Sequence, residues 1–153
     1  MILSTKNALA KSTEVMVGRV IIARFHGYQK GQTFSGIQFA DCKFLSSENL
    51  TDCEFIGCTF YNCEFSCDFT NCVFDACSFA HVSFWHLSIM DTTFDYSTIR
   101  KSDFRYCTFI RVSGGSVSES EVGFSRFEQV NVNLDDTCKV VYTAINDPAL
   151  EDF

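Results

Sequence analysis

A phenylalanine, or an aliphatic residue in its place, recurs about every five residues from Phe34 to Phe109. The stations are Phe34, Phe39, Phe44, Leu50, Phe55, Phe60, Phe65, Phe69, Phe74, Phe79, Phe84, Ile89, Phe94, Ile99, Phe104 and Phe109, thirteen of the sixteen being Phe. Ordinary secondary structure does not accommodate this beat. An α-helix turns about 100° per residue, so a five-residue step lands about 140° away each time and smears the rings around the cylinder. In a straight strand an odd step alternates faces. A repeat this short fits a solenoid whose backbone turns a corner once per repeat. Two slips interrupt it, a six-residue step from Phe44 to Leu50 and a four-residue step from Phe65 to Phe69. They predict a bulge at Ser46-Ser47 and a tightened corner near Ser66.

The 153 residues are one domain's length, and their formal charge is −7. That balance argues against direct nucleic-acid binding, which needs a basic footprint, and suits a basic partner. The single proline, Pro148, lies outside the repeats, as expected where every backbone donor belongs to a ladder. Of nine cysteines, Cys42, Cys53, Cys58, Cys63, Cys67, Cys72, Cys77 and Cys107 fall two residues before a station. A residue chosen for its register reads as a small buried hydrophobe, here a reduced thiol of a cytoplasmic protein. The N-terminus has no long apolar run, which predicts neither a secretory signal nor a membrane span. The cysteine spacing does not match paired metal ligands, and no glycine-rich phosphate loop occurs. His81 and His86, five residues apart, fall on adjacent flat sides without a cleft. The chain therefore reads as non-enzymatic, without metal or cofactor.

Three segments follow. Residues 1–30 lack the repeat; Val15-Met16-Val17 and Val20-Ile21-Ile22 predict a strand or short helix that caps the first coil. Residues 31–137 are the solenoid, broken at 112–118, where Gly114-Gly115 predicts a projecting loop. Residues 138–153 form a C-terminal cap and an acidic tail.

Blocks such as Ala40-Asp41-Cys42-Lys43-Phe44, Cys53-Glu54-Phe55 and Ser125-Arg126-Phe127 resemble the pentapeptide-repeat family, in which a small residue, Asp or Asn, and Leu or Phe are followed by two variable residues. The resemblance covers about residues 31–137. It implies an all-β fold, a right-handed quadrilateral parallel β-helix with four repeats per coil. A twenty-residue coil sets residue n beneath n+20 at about the 4.8 Å inter-strand spacing, which suits stacked rings. Phe60, Phe79 and Ile99 should then form one interior ladder, and Phe44, Phe65, Phe84 and Phe104 another.

Folded onto four sides, the sequence sorts its surface. One side carries Asp52, Glu54, Asp75, Asp91 and Asp95, with no Lys or Arg. Family members that protect DNA gyrase are understood as acidic rods shaped like duplex, so the resemblance implies a DNA mimic that inhibits or protects a DNA-binding enzyme such as a topoisomerase or nuclease. The five carboxylates would stand for phosphates. The blander reading, which the modest enrichment of acids favours, is an exposed side whose carboxylates merely keep the rod soluble. A second reading is an effector or docking module that binds a protein through Tyr61, Trp85, Tyr96 or the Gly114-Gly115 loop, with the polar Ser4–Thr13 stretch as a secretion address. The C-terminal segment is short and carries Pro148, which favours a monomer or weak homodimer over the helix-mediated dimer of the gyrase-protecting relatives.

Overall fold

The computed structural model describes residues 19–21, 24–25, 29–45, 49–141 and 144–145. Over them the chain is a right-handed quadrilateral parallel β-helix of about 6 turns. Strands of two or three residues centre on the stations, with the station buried and its neighbours outward. The first side holds Thr33–Ser35, Glu54–Ile56 and Val73–Asp75, continued by bridges through Thr93 to Ser113. The second runs in seven strands from Arg19–Ile21 to Asn131–Leu134, the third from Arg24–Phe25 to Lys139–Val141, and the fourth from Gln29–Lys30 to Ala144–Ile145.

Most of the expected cap over 1–30 lies outside the described residues, as do Ser4–Thr13, the Ser46-Ser47 bulge and the tail from Pro148. Where residues before 31 are described, they already pair with the next coil, Arg19–Ile21 with Gln38–Ala40 and Arg24–Phe25 with Lys43–Phe44.

The corners explain the polar beat. Two residues after almost every station the backbone takes a left-handed conformation, from Asp41 at φ 55° to Gln129 at φ 54°. Gly36 and Gly57 meet that demand without a side-chain penalty, and Asp and Asn tolerate it better than larger residues. The corner between Phe65 and Phe69 is one residue shorter and has no left-handed residue, the tightening that the four-residue step predicts. Corner amides are paired between coils; the Gly57 N–H, for example, donates to the Asp75 carbonyl at 2.8 Å.

Inside, rings stack between coils and meet edge-on within a coil. Phe60 lies 4.8 Å from Phe39 and 4.7 Å from Phe79, each with an 8° interplanar angle. Its same-coil neighbours Phe55 and Phe65 stand at 61°. Adjacent sides meet at a corner, so their inward rings present edge to face, the arrangement that ring quadrupoles favour. Both expected ladders form: Phe60, Phe79 and Ile99 are in register, as are Phe44, Phe65, Phe84 and Phe104. The small positions between them also act in concert. The Cys77 thiol donates to the Phe55 carbonyl at 3.2 Å, and the Ser97 hydroxyl does the same to Phe74 at 2.9 Å while accepting the Cys77 N–H.

The loop expected at 112–118 is instead a strand, Ser113–Ser118. Gly114 and Gly115 do not project; they lie flat on Phe94 and Asp95. A Cβ on Gly114 would stand 2.8 Å from the Asp95 carboxylate, and one on Gly115 3.0 Å from the Phe94 Cβ. The glycines occupy the place where the first side's next ring would fall, so that side's ring column ends at Phe94. Ser113–Ser118 merges what remains of the first side into the second, and its register against Asn131–Leu134 shifts between Ser113 and Ser116. Pairings across the coils then shorten to Phe104 with Val122 and Phe109 with Phe127. With valines replacing rings here, an apolar cavity of about 20 Å³ remains among Phe94, Ile99, Phe104, Val117 and Val122.

Candidate protein-binding surfaces

The first side carries its acids where the sequence places them. Asp52 and Asp91 occupy the left-handed corner shared with the fourth side. Glu54 projects from a strand, and Asp75 and Asp95 share an outward column one coil apart, since the Ala76 N–H donates to the Asp95 carbonyl at 2.9 Å. Like charges so placed repel each other.

The ion pairs among the described residues avoid these carboxylates, with one exception. Lys43 pairs with Glu64; Arg100 and Lys101 pair with Glu119; Arg105 joins Asp103 and Glu121; Lys139 also reaches Glu121; and Arg126 holds Glu128. All lie on the second, third and fourth sides or the corners between them. The exception is Asp91, which accepts Arg111 Nε at 2.5 Å and Nη2 at 2.9 Å. Those hydrogen bonds hold its carboxyl below the usual range. The expectation of a side free of basic residues is thus corrected at this corner: Arg111, one coil from Asp91, neutralises it. Asp52 accepts the Asn71 side-chain amide at 2.8 Å. Asp52, Glu54, Asp75 and Asp95 have no cationic partner among the described residues.

The aromatic candidates do not converge. Tyr96 stands alone, 90% exposed, on the corner between the first and second sides. Tyr61 belongs to the second side and packs edge-on against His81 at 5.6 Å. Trp85 sits across the rod, where the third and fourth sides meet. There the structure adds residues that the repeat did not mark as a group: His86, Tyr106 and Phe124 stack in a column beside it. Phe124 escapes the sequence reading because the shortened coil after Gly115 puts a Phe at a corner rather than a station. Gly114 and Gly115 are packed against the first side and offer no projection.

The thiols of the repeat lie buried inside the coil, where the hydrogen bond with Cys72 lowers Cys53 to about 7 and the hydrogen bond with Cys77 lowers Cys58. Burial pushes the Cys67 and Cys107 thiols up to about 12. The hydrogen-bonded thiol of a neighbouring coil, and then burial, raise Cys63, Cys72 and Cys77. Among the described residues no three His, Cys, Asp or Glu gather to hold a metal ion, and no helix is long and apolar enough to cross a membrane.

No family model matches the chain, and no curated protein does. Among solved structures it is similar to a trypsin-treated variant of QnrB1, a plasmid-mediated fluoroquinolone resistance protein, at 15% identity and a TM-score of 0.36, over 93% of this chain and 80% of that one. Full-length QnrB1 overlaps at 16% identity and a TM-score of 0.30, over 88% and 93% of the two chains. Rfr23, a pentapeptide repeat protein from the cyanobacterium Cyanothece 51142, does so at 7% identity and 0.28, over 72% and 62%. Overlap this loose carries no argument about function. The architecture stands on the chain's own repeat and sheet register.

Proposed function

We propose that this chain, a pentapeptide-repeat protein by its five-residue beat and four parallel sheets, works by binding a basic protein along its first side rather than by catalysis. The observation that carries the reading is the segregation of charge. Among the described residues, ion pairs occupy the other three sides, while Asp52, Glu54, Asp75 and Asp95 gather on the first without a cation; the other acids that lack one, Asp41, Asp68, Asp135 and Asp136, are spread around the rod. Mutual repulsion makes that arrangement unfavourable for the free protein, and a cationic groove relieves it.

The partner class that fits is a DNA-binding enzyme, a topoisomerase or nuclease, whose groove accepts phosphates. Magnitudes bound the mimicry. Three coils span about 10 Å, over which duplex DNA carries about six charges. The first side offers four over that length, so it matches duplex in sign and rigidity but not in charge density.

The test is inhibition of DNA relaxation or cleavage by such an enzyme, compared between the native chain and a variant with Asp75→Lys and Asp95→Lys. Inhibition should vanish and should already weaken steeply with salt in the native chain, while the thermal midpoint stays nearly constant. Full inhibition by the double variant removes the reading.

A further inference from the structure

We propose that the corner between the third and fourth sides is a second docking surface, which takes an arginine-bearing segment of a partner protein. It lies diagonally across the rod from the Tyr96 corner and does not depend on the role assigned to the first side.

The surface is a built ladder of rings. His86 stacks on Tyr106 at 4.7 Å and 9°, and Tyr106 on Phe124 at 5.2 Å and 14°. Trp85 stands across the first two, 5.1 Å from His86 and 5.3 Å from Tyr106. Trp85, Tyr106 and Phe124 remain 43%, 44% and 45% exposed. Closing the corner does not require them. The same left-handed position is filled elsewhere by residues from Gly36, Gly57, Ala76 and Asn62 to Lys101, Arg111 and Gln129, so the turn itself calls for no ring; at this corner His86, Tyr106 and Phe124 hold it at φ 51°, 55° and 53°. Such a conformation is uncommon for Tyr and Phe, and mutual stacking offsets its cost.

Charge decides what chemistry the rings receive. Among the described residues Lys43, Arg100, Lys101, Arg105, Arg111, Arg126 and Lys139 each already hold a carboxylate. Among the Lys and Arg residues whose side chains are described, Lys30 alone holds no carboxylate, so little positive charge is left to offer an acidic partner, and the whole chain carries −7. At the His86 end of the ladder, on the fourth side, Asp68 uses one carboxylate oxygen to accept the Ser88 N–H at 2.8 Å and has no ionic partner among the described residues. A ring end close to a carboxylate without a cation suits a guanidinium, which stacks on an aromatic face and donates in a fork to the acid. Lysine, a more strongly hydrated point charge, suits the site less well.

Trp85 is the chain's single tryptophan, so its fluorescence reports on this corner alone. The full chain is titrated at physiological ionic strength with an oligoarginine peptide, with oligolysine and oligoglutamate of equal length, and with a neutral oligosaccharide. The expected result is a saturable indole response to oligoarginine, a weaker one to oligolysine and none to the others. Combining Tyr106→Ala with Phe124→Ala should weaken oligoarginine binding about tenfold. Asp68→Asn, which keeps an acceptor for Ser88, should weaken it with the ladder intact. The pair Asp75→Lys and Asp95→Lys should leave it unchanged, since charges across the rod are screened. No indole response to oligoarginine, an equal response to the oligosaccharide, or undiminished affinity in the Asp68→Asn protein overturns the proposal. Loss of enzyme inhibition in the Asp75 and Asp95 variant with the indole response retained bears on the first side only.

Discussion

Arg111 reaches back one coil to grip Asp91 with two nitrogens of its guanidinium, so one of the five acids that the sequence assigns to the first side is not electrostatically free. Removing the guanidinium should therefore add to the side's anionic strength. In an Arg111→Gln protein the Asp91 carboxyl should titrate at a higher pH than in the native chain, because the hydrogen bonds that lower it are gone. Carbon-detected NMR of the carboxyl resonances reads this directly. The same substitution should strengthen binding of a basic partner at low salt, and Asp91→Asn should weaken it less than Asp75→Asn does.

The ring columns carry the stability. Phe60 is fully buried, with a stacked ring on either side along the rod. Phe60→Ala should destabilise by about 3–5 kcal/mol, because flanking coils joined by backbone ladders cannot collapse into the gap. Urea unfolding monitored by circular dichroism measures the loss. A cost below about 1 kcal/mol would mean that the column is not a packed core.

Gly115 tests the close approach to Phe94. Its φ is +79°, and the space a Cβ needs is taken by Phe94 Cβ and its carbonyl. Gly115→Ala should cost about 1–3 kcal/mol through strain and displaced backbone. Gly57→Ala should cost less: its Cβ would meet nothing within 4 Å, and Ala76 already occupies the equivalent corner at φ 51°. Paired thermal melts distinguish the two.

The buried thiols make the fold sensitive to alkali. Cys67 and Cys107 lose their protons near 12 in the folded chain, against an ordinary value of 9.0, because burial disfavours the thiolate. Their contribution is fully present below about pH 9 and is lost as pH rises towards 12, each thiol removing about 1.4 kcal/mol per pH unit in that window. A protein with Cys67→Ser and Cys107→Ser should show a shallower fall in melting temperature between neutral pH and pH 10 than the native chain. Near neutral pH these two thiols should stay unreactive towards an aromatic disulfide reagent until the chain unfolds.

Most of the fold was legible in the sequence because each coil repeats one constraint. A ring at Phe60 predicts a ring at Phe79, since the same column needs filling every coil. The Phe65 to Phe69 step gave away its shortened corner for the same reason. Gly114-Gly115 was misread because glycine pairs mark both loops and close backbone contacts, and only the position of Phe94 decides between them. Arg111 and Asp91 meet across a full coil, so their pairing appears only when charges are read down the columns rather than along the chain. Trp85, His86, Tyr106 and Phe124 assemble by the same vertical rule, and the altered register after Gly115 hides the last of them.

Past Gly115 fewer residues complete each circuit, so the perimeter narrows and the rod is thicker at one end than at the other. A uniform cylinder could slide or reverse in a partner's channel. A tapered one has a leading end, so a groove of the proposed kind would receive its carboxylates in a single orientation.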